Sequence, residues 1–163
     1  MRRKLETEYL AESLRGRLQY YAVTYRKSHD REGRIALRFD GSEILQSSYF
    51  DRWSARCEAE RKLRDAGETE NIWVRSWEEA LESGAFDQHD FYRAFAEFDS
   101  QPIADSLSAE NALVRMLAYL DRRTGKRTLE KLRTQIAAEP PWLQMIYCLR
   151  LAAEGIPIPE DFT

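Results

Sequence analysis

The dipeptide Asp40-Gly41 constrains this chain more than any other feature. A two-residue type I′ hairpin loop needs positive φ at both central positions, and Asp-Gly supplies them. Before the turn, Ile35, Leu37 and Phe39 alternate with Arg34, Ala36 and Arg38; after it, a strand is predicted over about residues 42–47. Such a turn fixes a register in which Phe39 faces Ser42, Arg38 faces Glu43, Leu37 faces Ile44 and Ala36 faces Leu45. Arg38 and Glu43 then form a favourable opposite-charge pair across the ladder. Ile35, Leu37, Phe39 and Ile44 share the buried face. Residues 17–26, rich in aromatic and β-branched side chains, predict a further strand, joined to the hairpin by a polar turn over 27–33.

Beyond the hairpin the apolar period becomes helical. Residues 5–15 predict a short helix closed by Gly16. Residues 49–66 predict another, with Phe50, Trp53 and Cys57 on its apolar side and Gly67 as its stop. Trp73, Trp77 and Leu81 form a stripe ending at Gly84. Asp87 reads as the N-cap of a helix carrying Phe91, Phe95 and Phe98, and Ser108 as the N-cap of one carrying Leu113, Met116, Leu117 and Leu120. A helix starting near Lys126 or Arg127 carries Leu129, Leu132 and Ile136. Pro140-Pro141 opens the last helix, with Trp142, Met145, Ile146, Leu149 and Ala153 facing inward. The fold class is therefore α+β: an N-terminal three-stranded antiparallel sheet with flanking helices, followed by a C-terminal helical bundle. The polar stretch 68–71 divides a 1–67 lobe from a 68–163 lobe within one compact domain.

Composition bears on location and partners. With 43% hydrophobic and 33% charged residues the chain is globular rather than disordered. Its charged start, Met1-Arg2-Arg3-Lys4, is followed by Leu5-Glu6-Thr7-Glu8 rather than by an apolar core, so no secretion signal is expected. No apolar run is long enough to span a bilayer. Cys57 and Cys148 read as buried free thiols of a reducing compartment. The expected location is the cytoplasm. Charge is uneven: residues 1–66 hold fifteen basic against eleven acidic side chains, while 67–110 hold eleven acidic against Arg75 and Arg93 alone. That pattern suits a charged protein partner, or a second copy of the chain, better than nucleic acid.

Catalytic patterns are sparse. His29-Asp30 and His89-Asp90 each look like part of a metal site, but two histidines fall short of the ligand count such a site requires. Asp40 is explained by the turn and Glu43 by Arg38, leaving no carboxylate–lysine set for a nuclease. There is no Gly-x-Ser-x-Gly and no glycine-rich phosphate loop. No cofactor is called for.

Two basic clusters are candidates for contact with a partner or an anion. Arg122, Arg123, Lys126 and Arg127 crowd a helix–helix junction. Lys126 and Arg127 fall at a helix N-terminus, where the dipole disfavours cations and so hints at an acidic partner. Arg26, Lys27 and Arg34, with Arg17, Gln19, Tyr21, Tyr25 and Arg38, mark the outer face of the sheet. Interleaved Arg and Tyr there could stack on bases or form a protein hot spot.

The segments Tyr25-Arg26-Lys27-Ser28-His29-Asp30 through Phe39-Asp40-Gly41, Ser48-Tyr49-Phe50-Asp51, Gly84-Ala85-Phe86-Asp87-Gln88-His89-Asp90-Phe91-Tyr92, Leu120-Asp121-Arg122-Arg123-Thr124-Gly125-Lys126-Arg127 and Trp142-Leu143-Gln144 through Leu149-Arg150-Leu151 together resemble an uncharacterised bacterial family of small cytosolic proteins found in gut anaerobes. The resemblance spans most of the chain. It implies a bacterial cytosolic protein and carries over no activity, cofactor or catalytic residue. The leading expectation for function is a non-catalytic protein-binding protein, adaptor-like or inhibitor-like. The alternatives are a nucleic-acid-binding module using the sheet face and the 122–127 corner, and, last, a hydrolase with an unfamiliar carboxylate site.

Overall fold

The computed structural model describes residues 1–25, 27 and 32–159. Arg26 and the His29-Asp30 pair lie outside the described residues. The architecture is α+β. Strands β1 (Leu18–Thr24), β2 (Gly33–Phe39) and β3 (Ser42–Ser48) form one antiparallel sheet in the order β1-β2-β3. Helices α2 (Tyr49–Asp65), α3 (Ile72–Glu82), α4 (Gln88–Ser100), α5 (Ile103–Leu107), α6 (Ala112–Leu120), α7 (Lys126–Ile136) and α8 (Pro141–Ala153) follow it, and a single turn, α1 (Arg2–Lys4), precedes it.

The hairpin turn forms as its sequence dictates, with Asp40 and Gly41 both at positive φ. Arg38 faces Glu43, and its guanidinium reaches Glu43 Oε1 at 2.8 and 3.1 Å. One step further on the register changes. Leu37 pairs with Leu45 and Ala36 with Gln46, so the expected Leu37–Ile44 and Ala36–Leu45 pairs do not form. Ile44 is the extra residue of a β-bulge. A bulge lets two neighbours on one strand lean toward the same side, and Ile44 and Leu45 are both half-buried against the core.

The predicted helix over 5–15 is broken. A π-helical turn, Leu5–Tyr9, continues α1, and the chain then extends at Leu10 to bridge Asp121. The amide of Ala11 donates to the Leu120 carbonyl at 3.0 Å, and that of Arg122 to the Tyr9 carbonyl at 2.7 Å. Leu5, Leu10, Ala11 and Leu14 are all buried. Their spacing does not fit one helical stripe, and the extended step at Leu10 turns all of them inward.

Gly33 sets how α4 meets the sheet. It pairs with Thr24, and any side chain on it would run into Gln88 and the Val23 carbonyl. Gln88 is buried at the start of α4 and accepts a hydrogen bond from Thr24 Oγ1 at 3.1 Å. Asp87 caps α4 as expected, in a reciprocal box with Asp90. The amide of Phe86 donates to Ser47 Oγ at 2.8 Å, which anchors the chain entering α4 on the end of β3.

Buried residues of the sheet, the N-terminal turns and helices α4, α6, α7 and α8 belong to one hydrophobic cluster. Helix α6 is its centre, with Leu113, Met116, Leu117 and Leu120 all buried. Its N-cap is Asn111, whose side chain accepts from the Leu113 amide at 3.0 Å; Ser108 instead closes the short α5. Leu129, Leu132 and Ile136 of α7 face the cluster as the spacing predicts.

In three helices the inward face differs from the expected one: α3 buries Ser76 and Ala80 and leaves Trp73 exposed and Trp77 and Leu81 half-buried, and the other two are α2 and α8. Helix α2 buries Arg56, Ala59 and Leu63, while Phe50, Trp53 and Cys57 are exposed. Helix α8 buries Leu143, Ile146, Tyr147, Arg150 and Leu151, with Met145 exposed and Trp142, Leu149 and Ala153 half-buried. The physical reason is the same in α2 and α8: a guanidinium occupies the inner face. Arg150 donates to the Leu120 and Thr124 carbonyls at 3.2 and 3.1 Å and pairs with Glu154, so it closes the α6–α7 corner from inside. No helix among the described residues is long and apolar enough to cross a membrane.

Candidate interaction surface on the helical arm

Helices α2 and α3 form an arm that meets the central cluster through Leu81, while its own buried residues lie outside it. Ala59, Leu63 and Ala80 are buried between the two helices. Ser48 caps α2, accepting from the Asp51 amide at 3.4 Å and donating to its carboxylate at 2.6 Å. Gly67 at positive φ turns the chain back toward α3.

What fills the inside of the arm is Arg56. Its side chain is only 6% exposed, and its guanidinium lies 4.5, 4.4 and 5.3 Å from the ring centres of Trp53, Trp73 and Trp77. Guanidinium is the more weakly hydrated of the two cationic heads and stacks well on aromatic faces, so it suits such a cage. One nitrogen is balanced by Glu60 at 2.5 Å. Arg52, one turn earlier, lies 4.1 Å from the Trp77 ring and pairs with Asp90 of α4. That pair ties the arm to the body. Burial works against charge on Asp90, but hydrogen bonds from Arg52, the Asp87 amide and Arg93 hold its carboxyl below the usual aspartate range.

Outward, the same rings form a continuous ribbon. Phe50, Tyr49, Trp53, Trp77 and Trp73 follow one another with centroid separations of 5.9, 6.5, 6.2 and 5.7 Å. Phe50 is 67% exposed, Trp73 58% and Trp53 42%, and Val74 extends the apolar face. Large exposed hydrophobic side chains occur elsewhere among the described residues, but on this arm they join into one surface. A contiguous apolar patch rimmed by polar groups marks an interaction site.

The ribbon runs into a groove of about 430 Å³ between α3 and α4. Trp73, Val74, Trp77 and Leu81 form its apolar wall; Asp90, Arg93 and Glu97 form the other.

The basic residues singled out from the sequence lie elsewhere. Arg34, on β2, is engaged by Glu43 and Gln46. Arg38 shares Glu43 and lies 4.4 Å from the Tyr21 ring, so Arg34 and Arg38 both have partners within the sheet, although the two share one carboxylate. Lys27 is exposed in the turn after β1. At the α6–α7 corner, Arg123 grips the buried Asp121 and stacks near Tyr9 and Phe98, and Lys126 donates to the Glu154 carbonyl at 2.8 Å. Arg122 and Arg127 are exposed and make no side-chain hydrogen bond or ion pair among the described residues. The structure thus gathers Arg122, Arg123, Lys126 and Arg127 at one corner and leaves Arg34 on the sheet. His89 is exposed in the first turn of α4, and no group of three or more potential metal ligands occurs among the described residues.

Sequence reasoning missed Arg52 and Arg56, weighed Asp90 only as part of a metal pair, and put Trp53, Trp73 and Trp77 on the apolar stripes of their helices. A signal was present. Arg52 and Arg56 stand one turn apart on α2 and flank Trp53, as Trp73 and Trp77 stand on α3; two such pairs on adjacent helices can interleave.

The family model of the SF0329 protein family matches residues 1–151. The chain belongs to this family. The match takes in the sheet, the arm and both walls of the groove. No curated protein and no solved structure matches the chain.

Proposed function

We propose that this chain is a non-catalytic protein-binding protein of the bacterial cytoplasm, adaptor-like or inhibitor-like, which meets its partner through the aromatic ribbon of α2 and α3. The observation that carries this reading is the ribbon itself: five rings in sequence, three of them substantially exposed, on a two-helix arm. Trp, Tyr and Arg dominate protein hot spots because they combine large apolar area with polar handles. Association would remove that area from water, the main favourable term in most protein–protein association. Arg56 already fills the cage, so the rings are held in place before binding and little ordering entropy is lost.

The test is affinity capture from nuclease-treated bacterial cytosol with the intact chain and with Trp73→Ala. The reading expects a stoichiometric protein that survives nuclease and is lost with the variant. Capture that vanishes with nuclease supports nucleic acid instead, and recovery of the bait alone as an oligomer makes the partner a second copy. A partner retained in full by Trp73→Ala contradicts the ribbon as the interface.

A further inference from the structure

The groove between α3 and α4 says what kind of partner segment fits, provided the ribbon is the interface as proposed above. Its two walls differ in kind. The α3 wall is apolar, with Trp77 and Leu81 at its floor and Trp73 at its lip. The α4 wall is charged, and its charges are not equivalent. Arg52 and Arg93 both answer Asp90, with Asp87 behind it at 3.9 Å from Arg52. Glu78 and Glu97, on opposite sides of the groove, have no hydrogen-bond or ion-pair partner for their carboxylates among the described residues. The charge left over in the groove is therefore negative and sits on both rims of an apolar floor.

We propose that this groove takes a cationic amphipathic helix of the partner protein, an apolar residue seated on Trp77 and Leu81 with Lys or Arg on either flank meeting Glu78 and Glu97. Two helices with a furrow between them accept a third through its apolar stripe. The argument for the sign is complementarity. An anionic segment would set its carboxylates against Glu78 and Glu97 in a groove whose lining holds three acidic side chains against Arg52 and Arg93, both drawn to Asp90. A neutral apolar segment would leave both glutamates facing apolar surface in the complex, and burying an unpaired charge is costly.

The experiment is selection from a random-peptide display library on the intact chain, on Glu78→Lys/Glu97→Lys, and on Trp73→Ala. Both glutamates and Trp73 are exposed, so the variants should keep the fold, and far-ultraviolet circular dichroism checks it. Peptides from the intact chain should combine an apolar stripe of helical period with Lys and Arg. A representative peptide should bind Glu78→Lys/Glu97→Lys roughly tenfold more weakly or worse, and selection on that variant should switch toward Asp and Glu. Selected peptides without cationic bias, or with affinity unmoved by the double reversal, overturn the inference while leaving the ribbon reading intact. Peptides that ignore Trp73→Ala or fail to enrich at all overturn the groove as a docking site, and the capture experiment decides the ribbon reading separately.

Discussion

The body around α6 and the arm made by α2 and α3 are held together by different forces. In the body, α6 buries Leu113, Val114, Met116, Leu117 and Leu120 against sheet and helices in a close-packed aliphatic and aromatic interior. In the arm, a guanidinium stands where the body would put a leucine, and tryptophans surround it instead of burying themselves. The first arrangement maximises area removed from water. The second gives up part of that gain and keeps large rings at the surface in fixed positions. A region built for stability alone has no reason to leave Trp73 and Phe50 in solvent.

Mutations at matched depth sharpen that contrast. The largest effect belongs to the body: Leu117→Ala should cost roughly 2–5 kcal/mol, a buried leucine truncated in a packed interior, read as a lowered urea midpoint of the whole chain. Arg56→Ala comes next. It empties the Trp cage and should raise amide exchange in α2 and α3 while the slowest amides of α6 keep their protection. Arg56→Lys should restore it only in part, because an ammonium lacks the planar face that stacks on the rings. Equal loosening of α6 would show that arm and body are one cooperative unit and would break the comparison.

Acid gives a smaller, local effect. The fold holds Asp90 below the ordinary aspartate value of 3.8, so the linked stability is fully present above that value and is lost as pH falls through the lower folded pKa. Tryptophan emission from Trp77, beside Arg52, should therefore change only in strong acid, and Asp90→Asn should produce the change already at neutral pH. The smallest effect on stability is expected for Trp73→Ala, within about 1 kcal/mol of the parent in denaturant unfolding, since the ring is mostly in water. A loss on the scale of Leu117→Ala would mean that the ring supports the fold.

What the sequence revealed divides along the same line. The Asp40-Gly41 turn and the Arg38–Glu43 pair are local, so neighbouring residues suffice to specify them. The stripes of α6 and α7 follow the rule of apolar inside, which the body obeys. The bulge at Ile44 was not legible, because it depends on what β3 must reach in three dimensions. Nor were the inner faces of α2 and α8, where Arg56 and Arg150 reverse the rule: each is buried through stacking or carbonyl contacts supplied by distant segments. The candidate cations at 122–127 were visible as a cluster. That Asp121 and Glu154 engage two of them needed the fold.

Hydrogen exchange of the chain with and without its captured partner tests the central claim most directly. The account predicts added protection over 49–65 and 72–82, extending to 90–97 on α4, with the sheet and the 122–127 corner unchanged. Protection gained at Arg34 and its neighbours on β2, or at 122–127, with the arm unchanged, would contradict it.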